Sequence, residues 1–244
     1  MSGNPIDRAP APTGPASDRT PAAASRGEVD AFLTRVGALA PATSRGRLIF
    51  ALDATMSRQP TWDQACRLQA EMFGEAASVG GLSIQLVYYR GLAECRASPW
   101  IAEPQRLGAL MSRIDCRGGH TQIGKVLGHA CREHDKAKLA ALVFVGDAME
   151  ETLDELCTRA GELGLRNIAA FMFQEGYDPV CEQAFREIAR LTRGAYCRFT
   201  PGAAHELAEL LRAAAAYAAG GMMALAALSA RHGAGATKLI EQLK

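Results

Sequence analysis

Four stretches of the chain are apolar without interruption or nearly so. Leu48-Ile49-Phe50-Ala51-Leu52 ends at Asp53, and Leu142-Val143-Phe144-Val145 ends at Gly146-Asp147. Ile168 to Phe173 is a third run, and Leu82 to Tyr89 is a fourth with partial alternation. Strands that are apolar on both sides are buried on both faces, which is the signature of a central parallel sheet. A 3.6-residue period lies between them. Ala65, Leu68, Met72 and Ala76 share one helical face, and so do Leu107, Leu110, Met111 and Ile114. Leu153, Leu156, Ala160 and Leu163 form another, and Val180, Ala184, Ile188 and Leu191 a further one, with Gly194 placed to stop it. Tyr196 to Phe199 predicts a short last strand. Strands alternating with helices predict an α/β fold with a doubly wound, mostly parallel sheet flanked by helices. Glu94 to Ser98 follows the Leu82 strand too closely for a helical crossover, so it predicts an antiparallel edge strand.

The two ends read differently. Residues 1–26 hold five of the eleven prolines and little that can enter a core, which predicts a disordered tail. Residues 27–44 predict a short helix, with Phe32, Val36 and Leu39 at helical spacing, and a linker. The main domain is expected over 45–215, and an Ala-rich helical extension over 216–244. Ala213 to Ala230 has no charged residue and touches the length of a membrane span. It is mostly alanine and glycine, which gain little from lipid, so a packed helix and no membrane is the expectation.

Lysine plus arginine number 27 and aspartate plus glutamate 26, a net charge of +1. That balance argues against a general nucleic-acid binder. The seven cysteines are scattered with no C-x-x-C pair, and no charged start precedes an apolar stretch. Both point to reduced thiols and a cytoplasmic location.

Ligands of open α/β sheets sit beyond the carboxyl ends of strands, where the strand order reverses. Beyond the first strand the chain reads Asp53-Ala54-Thr55-Met56-Ser57, one carboxylate and two hydroxyls on alternate positions. Asp147 stands at an equivalent end, and Thr121 follows Gly118-Gly119-His120 just before a helix. Five oxygen side chains, Asp53, Thr55, Ser57, Thr121 and Asp147, suit a hard cation such as Mg²⁺, with two carboxylates leaving it short of full neutralisation. Tyr89, Arg90 and Glu175 belong to strand ends on the same side and are candidate partner contacts.

At these residues the sequence resembles the von Willebrand factor type A (vWA) family, in its bacterial stand-alone type. Asp53-Ala54-Thr55-Met56-Ser57 is similar to that family's D-x-[ST]-x-S motif. Thr121 and Asp147 match its threonine and second aspartate in order and approximate spacing. The resemblance implies a metal-ion-dependent adhesion site, with Thr55 and Ser57 binding Mg²⁺ directly. Asp53 and Asp147 then act mainly through water and hydrogen bonds, and Thr121 directly or through water. It implies a non-catalytic module whose metal takes a carboxylate from a protein partner, in a setting of AAA-type ATPases or chaperone-like assemblies. The sequence departs from the family after Asp147, where Ala148-Met149-Glu150-Glu151 stands in place of a glycine. Glu150 and Glu151 are expected to favour the N-terminus of the following helix through its dipole.

The alternative is a metal-dependent phosphoester hydrolase using Asp53 and Asp147, with His120 the one histidine nearby. Gly119 to Val126 nearly matches a phosphate-binding P-loop, but Val126 replaces the hydroxyl that meets Mg²⁺, and no apolar strand precedes it. His129, Cys131 and His134, with Cys116 and His120 upstream, lack a zinc-site spacing.

Overall fold

The computed structural model describes residues 46–55, 63, 81–201, 203–232 and 234–243. The expected tail, the 27–44 helix and linker, the helix around Ala65 to Ala76, and Ser57 lie outside the described residues.

Six strands form one sheet: β1 (Gly46–Asp53), β2 (Leu82–Arg90), β3 (Glu94–Ala97), β4 (Ala141–Gly146), β5 (Ala169–Glu175) and β6 (Ala195–Phe199). Their order is β3-β2-β1-β4-β5-β6, with every neighbouring pair parallel except β2 and β3. The doubly wound α/β fold and its antiparallel edge strand are therefore present as the pattern predicts. The chain winds outward from β1 to β3 on one side, then returns to the centre and winds out from β4 to β6 on the other. The reversal falls between β1 and β4.

Each strand divides its side chains between two cores. Leu48, Phe50 and Leu52 of β1 point to one, and Ile49 and Ala51 to the other. The same alternation splits Val143 and Val145 from Leu142 and Phe144, and Phe171 and Phe173 from Ala170 and Met172. The first core is closed by α1 (Pro104–Met111), α5 (Ala204–His232) and α6 (Ala234–Ile240). The second is closed by α2 (Ile123–Lys136), α3 (Leu153–Leu165) and α4 (Pro179–Leu191). Each fully buried Leu, Ile or Phe contributes about 1.5–3 kcal/mol.

The Ala-rich segment owes its composition to how close it lies. Ala213, Ala214, Ala215, Ala216 and Ala218 of α5 are buried against the sheet, and a Cβ on Gly46 would stand 2.0 Å from the Ala218 carbonyl oxygen. Alanine and glycine let helix and strand backbones touch. The helix runs through the 215/216 boundary expected from the sequence and kinks at Gly220 and Gly221. Residues 205–231 are long and apolar enough to cross a membrane by length and composition, but Leu225 and Leu228, beyond the kink, also pack into the core. Past α6, Gln242 reaches the outer edge of β6. Its Oε1 accepts the Tyr196 N–H at 2.9 Å and its Nε2 donates to the Tyr196 carbonyl at 2.9 Å.

The start of β1 is fastened to the end of α2. Arg47 donates to the Glu133 carboxylate at 3.0 Å and lies over the Trp100 ring at 3.8 Å. Trp100 Nε1 and Lys136 Nζ donate to the same carboxylate at 2.9 and 2.6 Å. Burial pushes the Glu133 carboxyl up, but the hydrogen bonds from Lys136 and Trp100 and the nearby positive charge outweigh it and hold it below the usual range.

The end of α4 departs from expectation in detail. The chain turns at Arg193, which has a positive φ of 53°, and Gly194 has another task. A Cβ there would lie 1.9 Å from the Ala170 carbonyl oxygen, so Gly194 allows the return strand to reach β5. Gly194→Ala should cost roughly 3 kcal/mol or more in urea unfolding, because the obstacle is backbone. Gly161→Ala, inside α3 with nothing within 4 Å of the added methyl, should stabilise by about 0.5–1 kcal/mol.

Glu133→Gln should lower stability by about 2–3 kcal/mol at neutral pH. A carboxyl with a depressed folded pKa contributes above its unfolded value, and that contribution is lost as pH falls through the folded one. The gap between variant and wild type should therefore narrow below about pH 4.5, the ordinary glutamate value. Urea midpoints measured across that range check it.

Candidate functional site

The reversal between β1 and β4 opens a crevice at the carboxyl ends of the strands. Asp53, the last residue of β1, is 1% exposed. Its Oδ1 accepts the Thr55 N–H at 2.8 Å, a turn in which the side chain stands in for backbone and bends the chain away from the sheet. Asp147 follows the last residue of β4 directly. The third contributor is the loop before α2. Arg117 N–H donates to the Ala54 carbonyl at 3.0 Å and His120 N–H to the Gly91 carbonyl at 3.2 Å. Gly119 is pressed onto the β2–β3 turn so closely that a Cβ would stand 2.1 Å from the Gly91 oxygen. Only a residue without a side chain fits there, and the contact sets where Thr121 begins.

Together these segments enclose a small cavity of about 230 Å³ lined by Asp53, Thr55, Gly118, Gly119, Thr121, Asp147, Ala148 and Glu150. Thr55 and Thr121 are buried, at 9% and 7% exposure. The fold thus gathers four of the five expected oxygen ligands, the fifth being Ser57. Among the described residues the lining has three carboxylates and no lysine or arginine. Asp147 Oδ1 is buried and receives no hydrogen bond. Tyr89, fully buried, pairs with Asp53 in register, and its hydroxyl is pushed well above its ordinary pKa, first by burial and then by the Asp53 charge. A buried acceptor without a donor, among carboxylates and hydroxyls, is the donor set of a hard cation. Mg²⁺ or Mn²⁺ fits this chemistry. Among the described residues no three His, Cys, Asp or Glu side chains converge as a metal cluster, so such a site relies on the hydroxyls.

Glu150 and Glu151 behave differently from expectation. They do not serve the helix that follows them, α3, which has its own acids, Asp154 and Glu155, in its first turn. They turn back to α2. The Glu150 carboxylate accepts the Thr121 N–H at 3.0 Å, and the Thr121 hydroxyl accepts the Glu150 N–H at 3.0 Å. His120 Nδ1 lies 3.0 Å from the same carboxylate. The Thr121 amide, with His120 second, holds the Glu150 carboxyl below its usual range. Glu151 accepts from Ile123 N at 2.5 Å and Gly124 N at 2.8 Å. The first turn of α2 needs these donations because Gln122, at its N-cap, makes no side-chain cap. The one hint in the sequence was that α2 starts without Ser, Thr, Asp or Asn at its cap. The same contacts occupy amides that a phosphate in the Gly119–Val126 loop would need.

The three expected partner contacts differ in where the structure places them. Tyr89 is 0% exposed and stacks on Phe144 with ring centroids 6.1 Å apart, so it presents no surface to a partner. The alternation of β2 turns this strand-end aromatic inward. Arg90 is bound to Glu94 at 3.0 Å and to the Asp115 carbonyl at 2.8 Å, which ties its guanidinium to the hairpin and the neighbouring loop. Glu175 is 9% exposed, at the end of β5.

No sequence-family profile matches the chain, and no curated protein matches it either. Solved structures do. The SpRpn10 VWA domain aligns with a TM-score of 0.54 at 12% identity, covering 67% of this chain and 95% of that one. The human COPII-coat protein Sec24c aligns at 0.51 and 12% identity, covering 70% of this chain and 32% of that one. A D319A mutant of the PilB minor pilin from Streptococcus sanguinis aligns at 0.54 and 8%, covering 70% and 61%. The chain has a vWA-like fold.

Replacing Glu151 with Ala should cost about 1–2 kcal/mol through the lost helix cap. Hydrogen exchange should quicken at the Ile123 and Gly124 amides and much less at α3. Unchanged exchange there would contradict the capping role.

Proposed function

We propose that this chain is a non-catalytic protein-binding module. In it Asp53, Thr55, Ser57, Thr121 and Asp147 hold Mg²⁺, or Mn²⁺, which captures a carboxylate from a partner protein. The observation that carries the reading is the buried, unpartnered Asp147 Oδ1 in a cavity that, among the described residues, is lined by three carboxylates and two threonine hydroxyls. Such a cavity repels an acidic side chain by itself. A divalent cation reverses the sign of the field and gives a partner carboxylate a hard ligand position. Glu150, which the sequence did not bring to the site, strengthens the dependence on the cation.

The vWA-like fold supports a role in protein interaction. Two of the aligned proteins are, by name, a coat protein and a minor pilin. The proposed setting is the cytoplasm, in an ATPase- or chaperone-linked assembly. The hydrolase alternative finds less support. The imidazole beside the cavity, His120, is 66% exposed and bound to Glu150 rather than aimed by a buried acid.

Thermal unfolding tests the metal. At a Mg²⁺ concentration about a hundred times its Kd, wild type should gain about 2.7 kcal/mol, and Asp147→Asn should gain far less while keeping its circular dichroism. A melting curve that ignores both Mg²⁺ and Mn²⁺ would sink the metal site. Partner capture that survives chelator, in protein whose melting does respond, would sink the metal's part in binding.

A further inference from the structure

A second concavity among the described residues is larger than the metal-site crevice. It is a groove of about 710 Å³ between α2 and α3, at the β3 side of the sheet. Val87, Cys95, Ala97 and Leu156 give it an apolar floor. Two arginines stand over that floor, Arg132 from α2 and Arg159 from α3. They meet above Gly128. A Cβ on that glycine would lie 3.4 Å from Arg132 Nη1 and 3.6 Å from Arg159 Nη1, so the two guanidinium groups share one small space.

Like charges brought together need a reason. The carboxylates of the groove do not supply it. Both oxygens of Glu151 are committed to the Ile123 and Gly124 amides. Glu162 takes the Cys131 thiol at 4.0 Å. Glu155 is exposed to solvent. Among the described residues neither Arg132 nor Arg159 forms an ion pair. Lys125 stands at the rim, its Nζ directed to the Gln122 amide oxygen at 2.7 Å and the Ala93 carbonyl at 3.2 Å. His129 donates from Nε2 to Gln85 Oε1 at 2.8 Å and burial lowers its pKa, so it is a neutral hydrogen-bonding group at neutral pH.

We propose that this groove is a second binding site, for the phosphate group of a small organic phosphate monoester. One guanidinium saturates a carboxylate, whereas two match a dianionic tetrahedral group with three free oxygens. The volume lies within the range of small-molecule pockets, about 300–1,000 Å³, and far exceeds a bare ion, so the organic part of the ligand rests on the apolar floor. Glycine at 128 keeps the space beneath the phosphate clear. The groove and the metal-site cavity share no lining residue.

Titration calorimetry on the metal-free full chain tests this, at fixed ionic strength, with phenyl phosphate, inorganic phosphate and benzoate as probes. Phenyl phosphate should bind with a Kd of roughly 0.1–1 mM, inorganic phosphate more weakly, and benzoate at least about tenfold more weakly. Arg132→Gln and Arg159→Gln should each weaken phenyl phosphate about tenfold. In phosphate-free buffer neither variant should melt below wild type, because each removes a repulsion and no ion pair. Asp147→Asn should bind phenyl phosphate as wild type does, which separates this site from the metal site whatever the fate of the latter. No binding at about 10 mM probe would overturn the proposal. So would binding that both arginine variants leave intact, or equal binding of benzoate and phenyl phosphate.

Discussion

A sheet that winds outward from its middle in two directions leaves a crevice beyond the carboxyl ends of its central strands, and the rest of this structure depends on how that crevice is lined. Here it opens at the carboxyl ends of β1 and β4, where the winding reverses. The chain fills the position with oxygen. Asp53 and Asp147 end the two strands, and a glycine loop pinned to the β2–β3 turn brings Thr121 alongside. Negative charge gathered in one buried place is costly unless hydrogen bonds or a cation offset it. Thr55 N–H offsets part of it at Asp53, and the Thr121 amide does so at Glu150. Asp147 Oδ1 has no such donor, and this asymmetry turns a structural crevice into a candidate site.

The architecture was readable because unbroken apolar strands and helical periods are long-range patterns. Leu142 to Val145 announces a buried parallel strand wherever it is placed, and the missing crossover between Tyr89 and Glu94 forces a hairpin. The candidate site was readable in its polar punctuation, with Asp53 and Asp147 each ending an apolar run and Thr121 following a glycine pair. What escaped depends on contacts between distant segments. Glu150 and Glu151 precede α3 in sequence, so the nearest helix seemed the one they serve. In space the N-terminus of α2 lies beside them, and its uncapped amides are the stronger attraction. Tyr89 carries a polar tip that suggested a surface, but strand alternation places it against Phe144. The convergence of Arg132 and Arg159 over Gly128 joins two helices, and no local pattern announces it.

The two layers of helices are built by different means. The α2–α3–α4 layer packs large side chains into the sheet, with Phe144 meeting Phe185 edge to face at 5.4 Å. The α5 layer packs backbones, with buried alanines against the strands and Gly46 beneath Ala218. The first arrangement tolerates volume-conserving exchange among apolar residues, while the second tolerates almost no enlargement. The composition that made α5 look like a membrane segment is therefore a consequence of distance: alanine is what remains when a long helix lies this close to a sheet.

Gln242 closes the other side of the molecule. A parallel sheet ending in β6 exposes peptide groups that invite a strand from another molecule. Here one side-chain amide accepts from Tyr196 N–H and donates to Tyr196 C=O, the two bonds that an incoming strand would make at that residue. The amide of a glutamine carries the same donor and acceptor as a peptide unit, so it imitates one link of a seventh strand without offering the next link. At Tyr196 the edge is thereby closed to a strand from another molecule by Gln242, which follows the last helix.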